Sequence, residues 1–318
     1  MPSPSLPGLL RAAAQLGHRA AGPVGQGGAE PLRARDQTPR PLYVGWTRYS
    51  AFLPDTKGLD LAAASRHQNA EDYRAHLWAP NRMAARSRIF FELSVPLLQT
   101  MRERHDYQHV VTYSPEMPER WLSQLFESAR KYDVLDLRPV AAGGPVEALA
   151  DHLVRSGRRS GPAVWFRVDD DDLLPTDYLD LVDAHVSHVG PGWSVCMGMG
   201  YDGLWHDGAV HHLRRKHRPN GSHGQAFSGW WDGDTGTLEI PLPGNHRTVD
   251  RRTPTVVDST ALAWIRLSHL WQDSTQEEPT FESLAAPLLR NPSRPPSGDT
   301  DLLSRWPTLS GVYRPDPS

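Results

Sequence analysis

Ala163-Val164-Trp165-Phe166-Arg167-Val168 runs directly into Asp169-Asp170-Asp171-Asp172. The first six residues are apolar or large and β-prone, with Arg167 as the one charge, and they predict a buried strand. Four carboxylates crowded at the end of a strand repel one another and lose hydration, which is costly unless a cation sits among them. The first reading of the stretch is therefore a seat for a divalent metal. Leu173-Leu174-Pro175 then leads to Thr176, placed to cap a helix whose residues Tyr178, Leu179, Val182, Val186 and Val189 share one side. The quartet lies in a strand-to-helix turn, and in open α/β sheets ligands bind beyond the carboxyl ends of strands. Acidic runs are usually solvated loops. Here an apolar strand and a capped helix hold the run on both sides.

Upstream the same alternation repeats. Leu42-Tyr43-Val44-Gly45-Trp46 predicts a first strand, ending in Thr47-Arg48-Tyr49-Ser50. Ile89, Phe90, Leu93, Leu97 and Met101 recur at helical spacing, with Pro96 a kink or a division. His109 to Tyr113 reads as a second strand and Trp121, Leu122, Leu125, Phe126 and Ala129 as the inner face of the next helix. Asp133 to Leu137 is a third strand, and Val146 to Val154 another helix. The fold class expected is α/β, a mostly parallel sheet flanked by helices. Right-handed crossovers would bring Arg48, Ser114 and the Asp quartet to one rim. Downstream the chain turns rich in Gly, His, Asp and Trp, and short pieces such as Ala209-Val210 and Leu238-Glu239-Ile240 suggest a mixed, loop-rich half. Apolar character returns at Val256-Val257 and from Ala261 to His269. Residues 1–41 read as a disordered extension, 42–290 as one domain (42–190 and 191–290 as its two halves), and 291–318 as a Pro-rich tail in which Trp306, Leu309, Val312 and Tyr313 could dock.

Bulk properties narrow the function. With 318 residues and 38% hydrophobic content the chain can bury a sizeable core, and a net charge of -3 gives no general attraction to nucleic acid or an anionic bilayer. The single cysteine, Cys196, rules out an internal disulfide framework and a cysteine zinc cluster. No apolar run approaches the roughly 20 residues of a membrane span, and the segment Leu9 to Ala21 is too interrupted for a secretory signal, so the cytoplasm is the expected location.

A hard cation on oxygen ligands at a sheet rim serves best when it also holds a phosphate. Magnesium or manganese would neutralise a departing diphosphate, and a guanidinium such as Arg48 or Arg88 could fork onto its oxygens. Arg167 could pair with a carboxylate or with a ligand. Thr47-Arg48-Tyr49-Ser50, Arg88-Ile89-Phe90-Phe91-Glu92 with Pro96-Leu97-Leu98-Gln99, Tyr113-Ser114-Pro115, Pro118 and Arg167-Val168-Asp169-Asp170-Asp171-Asp172, in that order, resemble the rhamnosyltransferase family. That family is similar to glycosyltransferases of the GT-A fold, whose Asp-x-Asp signature follows a central strand. The likeness spans about Tyr43 to Asp273.

The resemblance implies a metal site made of Asp169, Asp171, Asp172 and His269, with Mn2+ or Mg2+ as cofactor. It implies a nucleotide-sugar site with Arg48, Ser50, Arg88, Arg167, Asp169 and Asp170. The family continues its late His with Gly and Asn, where this chain has Leu270 and Trp271. The partners implied are a nucleoside diphosphate sugar donor and a carbohydrate or other hydroxyl acceptor. Asp202 and Asp232, in the Gly-rich half, are the candidates for the base that takes the acceptor proton. The cluster His211, His212, Arg214, Arg215, Lys216, His217 and Arg218 could hold phosphates or an anionic acceptor, and Trp230 and Trp231 a sugar ring or the core. The function expected is a metal-dependent glycosyltransferase. A metal-dependent phosphohydrolase and a silent sugar-binding module are its alternatives.

Overall fold

The structure, a computed structural model, describes residues 40–52, 69–242, 244–272, 279–295 and 300–316. The expected N-terminal extension, save its last two residues, lies outside them. Strand β1 (Leu42–Arg48) is followed by α1 (Ala70–Leu77), α2 (Pro80–Ser87) and α3 (Val95–Arg102), then β2 (Tyr107–Tyr113), α4 (Glu119–Lys131), β3 (Leu135–Pro139), α5 (Pro145–Arg155) and β4 (Gly161–Arg167). A short β5 (Asp172–Leu173) and α6 (Tyr178–Val189) complete the first half of the chain. The remainder is β6 (Ser194–His206), β7 (Ala209–His217), β8 (Gln225–Asp232), β9 (Thr237–Glu239), β10 (Thr255–Ser268), α7 (Phe281–Leu289), α8 (Thr300–Arg305) and β11 (Tyr313–Arg314). Between α2 and α3 the chain runs as a π-helix over Arg88–Ser94. Pro96, at the start of α3, lacks the N–H that would continue the preceding bonds, so the division expected there takes the form of a change in helix type.

The strands form one mixed sheet in the order β11-β7-β6-β8-β4-β1-β2-β3, with β10 paired to β6 and β5. β3, β2, β1 and β4 are mutually parallel, and β8 lies antiparallel to β4. The two expected halves thus share a sheet, because β8 returns to insert between β4 and β6. Its register is set by packing. Trp165 and Phe227 are directly opposite, and their rings stack with centroids 4.4 Å apart and planes 12° from parallel. A slip of one residue would turn Phe227 to the other face of the sheet. With this register Gln225 lies beside Arg167, and the loop before β8 lies against the acidic turn.

The C-terminal segment is integral to the body. Leu302, Trp306 and Leu309 are buried with Ile89, Leu93, Leu97, Leu173, Tyr201 and Trp205. Trp306 Nε1 donates to Leu173 O (3.3 Å), Thr176 N to Arg305 O (2.9 Å), and Arg305 grips both oxygens of Asp177. Asp177 rather than Thr176 precedes α6, and the position is held by Arg305 instead of by a side-chain cap. Among the described residues no helix is long and apolar enough to cross a membrane.

Candidate functional site

Val168, at the end of β4, is held from behind by a buried polar chain. Thr47 Oγ1 donates to Val168 O (2.8 Å), so it accepts from His109 Nε2 (2.9 Å), and His109 Nδ1 in turn accepts from Tyr107 Oη (2.7 Å). Each link uses one donor and one acceptor, so all three protons are placed. Burial lowers the His109 pKa to about 3, which keeps the ring neutral. Gly45 makes room for this chain, since a Cβ there would stand 2.3 Å from His109 Nδ1 and 2.7 Å from Tyr107 Oη.

Beyond Val168 the four carboxylates turn tightly, with Asp172 N donating to Asp169 O (3.1 Å). Asp169 takes Nε and Nη2 of Arg167 at 3.1 and 2.9 Å. Burial alone would raise its pKa, but the charges of Arg167 and then Arg48 outweigh that and hold it well below the usual carboxylate range. Asp170, buried, pairs with Arg86 Nη1, while Arg86 Nη2 donates to Asp171 Oδ2 (3.2 Å). Asp172 is buried, meets His223 Nδ1 at 2.8 Å through Oδ2, and its Oδ1 accepts no hydrogen bond among the described residues. Asp171 carries the imbalance. Burial raises it, Arg86 opposes, and the charges of Asp172, Asp170 and Asp169 add to the rise, so its pKa reaches about 7. His269, buried, faces it with Nε2 4.0 Å from Asp171 Oδ2. That is too long for a hydrogen bond and suits two ligands of one cation. Trp271 N donates to His269 Nδ1 (3.3 Å), which leaves the ring proton on Nε2, so metal ligation there requires the Trp271 contact to open.

Of the four expected metal ligands, the structure brings Asp171 and His269 face to face, turns Asp169 onto Arg167 and commits Asp172 to His223. Among the described residues no three His, Cys, Asp or Glu side chains gather as ligands of one ion. Arg48 lies over the Trp46 ring, with its guanidinium carbon 5.8 Å from the centroid, and its charge acts on Asp169. Ser50, at φ 43°, is buried and its hydroxyl accepts from Arg82 Nη1 (3.0 Å), so it shapes the turn after β1.

Three expected site residues have surroundings that the sequence did not indicate. Arg88 pairs with Glu92 (3.3 Å) and lies over Trp205, and the arginine at the acidic turn is Arg86. Two residues are about 200° apart around a helix, so only one of the pair can face the turn. Asp232 is at the wrong end. Strand β8 is antiparallel to β4, so Asp232 lies beside Ser160, the length of a seven-residue strand, or about 20 Å, from the quartet. There it accepts from the backbone N of Asp234 (3.0 Å) and Thr235 (3.4 Å) in a hairpin turn, with the half-exposed Trp230 near the same end of β8. Asp202 is buried between two guanidiniums, Arg218 (2.9 Å) and Arg266 (3.7 Å), which a free base would lack.

Residues the sequence did not single out also flank the turn. His223 could have been sought in the Gly-rich loop before β8. His246, whose pKa burial lowers with help from Arg167, gave no signal beyond its residue type.

The sequence model of a family described as "Putative rhamnosyl transferase" matches residues 43–280. The chain belongs to that family. The resemblance carried by Thr47-Arg48, the quartet and its neighbours thus holds across the body of the sheet, and the family's span ends before α7. No curated protein sequence matches the chain. Among solved structures, a 4-diphosphocytidyl-2C-methyl-D-erythritol synthase aligns over 79% of this chain and 98% of its own, at 9% identity and a TM-score of 0.33. HddC from Yersinia pseudotuberculosis aligns over 72% and 90%, at 9% identity and 0.24. Superpositions this loose carry no argument about this family member.

Proposed function

We propose that this chain is a glycosyltransferase of GT-A type that moves a sugar, rhamnose by the family's description, from a nucleoside diphosphate to an acceptor hydroxyl. The family match supports glycosyl transfer. The parallel order β3-β2-β1-β4 followed by antiparallel β8 supports the GT-A reading, since the end of β4 is then a place where nucleotides bind in α/β sheets. The observation that carries the proposal is the Asp171–His269 pair, a buried carboxyl with surplus negative charge facing an imidazole across 4.0 Å at the end of that strand.

A cation that serves a phosphate takes one or two protein ligands and fills its shell with water and phosphate oxygens. Asp171 and, once the Trp271 contact opens, His269 fit that requirement and would hold Mn2+ or Mg2+. When bound, such an ion neutralises charge on the departing diphosphate. The chain's own groups do the rest. Arg167 and Arg48 keep Asp169 ionised, so its oxygens can accept from a ribose or sugar hydroxyl. Arg86, already bonded to Asp171, stands where it can also donate to a phosphate oxygen. His223 fixes Asp172, and the Thr47–His109–Tyr107 chain fixes Val168, so the turn is preorganised before substrate arrives.

Isothermal titration with UDP, GDP and dTDP, with and without Mn2+, tests this reading. One of them should bind, more tightly with the metal, and Asp171→Asn should abolish the metal's contribution. Absence of binding by all three overturns it. Release of sugar 1-phosphate and nucleoside monophosphate from a nucleotide sugar, at full rate with no acceptor present, would favour a phosphohydrolase.

A further inference from the structure

The basic strand β7 is a charged motif among the described residues that the donor site does not use, and strand register shows where it points. Arg266 of β10 is opposite Asp172 of β5 and Asp202 of β6, and Asp202 is opposite Arg214 of β7. Cross-strand partners share a face, so Asp172, Arg266, Asp202 and Arg214 form one row. Lys216, opposite Gly200, stands on the same face two residues along. Arg218 joins them by donating from Nη2 to Asp202 Oδ2 (2.9 Å).

The charges in this row do not balance. Asp202 serves both Arg218 and Arg266, and Arg214 is buried and taken by Asp316 (2.5 Å). The Arg218 and Arg266 side chains remain 37% and 27% exposed, enough to meet a ligand. Lys216 is exposed and has no ion-pair partner among the described residues. Asp202 therefore acts as a post that holds two guanidiniums at fixed positions while leaving a net positive surface. The row also adjoins the transfer site, since Leu267 N donates to Asp171 O (3.1 Å). It then runs away across three strand spacings, about 14 Å in all. A diphosphate held at Asp171 does not reach Lys216.

We propose that Lys216, Arg218 and Arg266 bind an oxyanion of the acceptor, a sugar carboxylate or phosphate, and so select acidic acceptors over neutral ones. The proposal rests on the glycosyltransferase reading above and names the substrate class for its second half.

The test uses the full chain saturated with Mn2+ and the nucleoside diphosphate that binds it. Glucose, glucuronate and glucose 6-phosphate are titrated in turn. Both charged sugars should bind at least tenfold more tightly than glucose, and raised salt should reduce the difference. Lys216→Gln, which breaks no side-chain hydrogen bond or ion pair among the described residues, and Arg218→Gln should each remove most of that preference while nucleoside diphosphate affinity stays within twofold. Equal binding of the three sugars, or of none, overturns the proposal. So does a loss of nucleoside diphosphate affinity in the variants, which would assign these cations to the donor. If the unmodified chain binds no nucleoside diphosphate, the glycosyltransferase reading itself has failed, a result distinct from the others.

Discussion

Two buried polar clusters adjoin at Val168, and they are built on opposite principles. Behind it, Tyr107, His109 and Thr47 pass hydrogen bonds in one direction to the Val168 carbonyl, every proton placed and no net charge carried. In front of it, four carboxylates share Arg86, Arg167 and His223, and Asp171 is left with its pKa pushed up to about 7. A satisfied neutral network rigidifies a fold. A cluster with uncompensated charge costs stability unless a ligand cation completes it. The contrast separates a scaffold, the first cluster, from a candidate site, the second.

The strongest way to break this contrast is Asp171→Asn. Loss of a metal-supported charge interaction of several kcal/mol should lower turnover by about 10^3-fold, read as kcat with donor and Mn2+ saturating. On the scaffold side, Gly45→Ala drives a Cβ into His109 and Tyr107 and should cost about 3 kcal/mol in urea unfolding. Turnover per folded molecule should fall as well, because the turn loses its backing. A variant that unfolds at the wild-type midpoint would show that the network is not tight.

The two clusters also respond to pH with opposite sign. His109, its folded pKa lowered to about 3, stabilises the fold at neutral pH and loses that contribution as pH falls from about 6.5. Asp171, its folded pKa raised to about 7, binds a proton more tightly in the fold than in the unfolded chain, so its effect on stability worsens as pH rises from about 4 to about 7. In chelator, Asp171→Asn should therefore gain stability relative to the parent as pH rises through that window, by up to about 1.4 kcal/mol per pH unit. A constant difference between the two chains would place the raised pKa elsewhere. The smallest effect is expected from Asp232→Asn, at the far end of β4, where kcat should stay within about twofold of the parent because a surface turn far from the chemistry is altered. A larger loss would restore Asp232 to the site.

Much of the frame was legible because it is local. The apolar run before Asp169, the helical spacing after Pro175 and the strand at Leu42 follow from side-chain pattern alone, and the family resemblance rides on the same residues. The partners of the quartet were not legible. Arg86 and Arg88 are equivalent in sequence, and only the setting of the helix against the turn separates them. Asp232 and Asp202 are equally plausible bases until β8 is known to run against β4 and Asp202 to adjoin Arg266. In the Pro-rich tail from residue 291 the apolar residues Trp306, Leu309, Val312 and Tyr313 suggest docking, but only the structure shows Trp306 and Arg305 fastened to Leu173 and Asp177.

The amino-acid sequence by itself determined that a carboxylate cluster would sit at the end of a buried strand in an α/β sheet, since alternation, capping and apolar runs act between near neighbours. Tertiary structure alone decided which cations each carboxylate meets, that burial and the neighbouring carboxylates together raise Asp171, and that Asp202 holds a cationic row. Those outcomes depend on burial and on contacts between residues far apart in the chain, where a one-residue change of register or a rotation of one helix would exchange the partners.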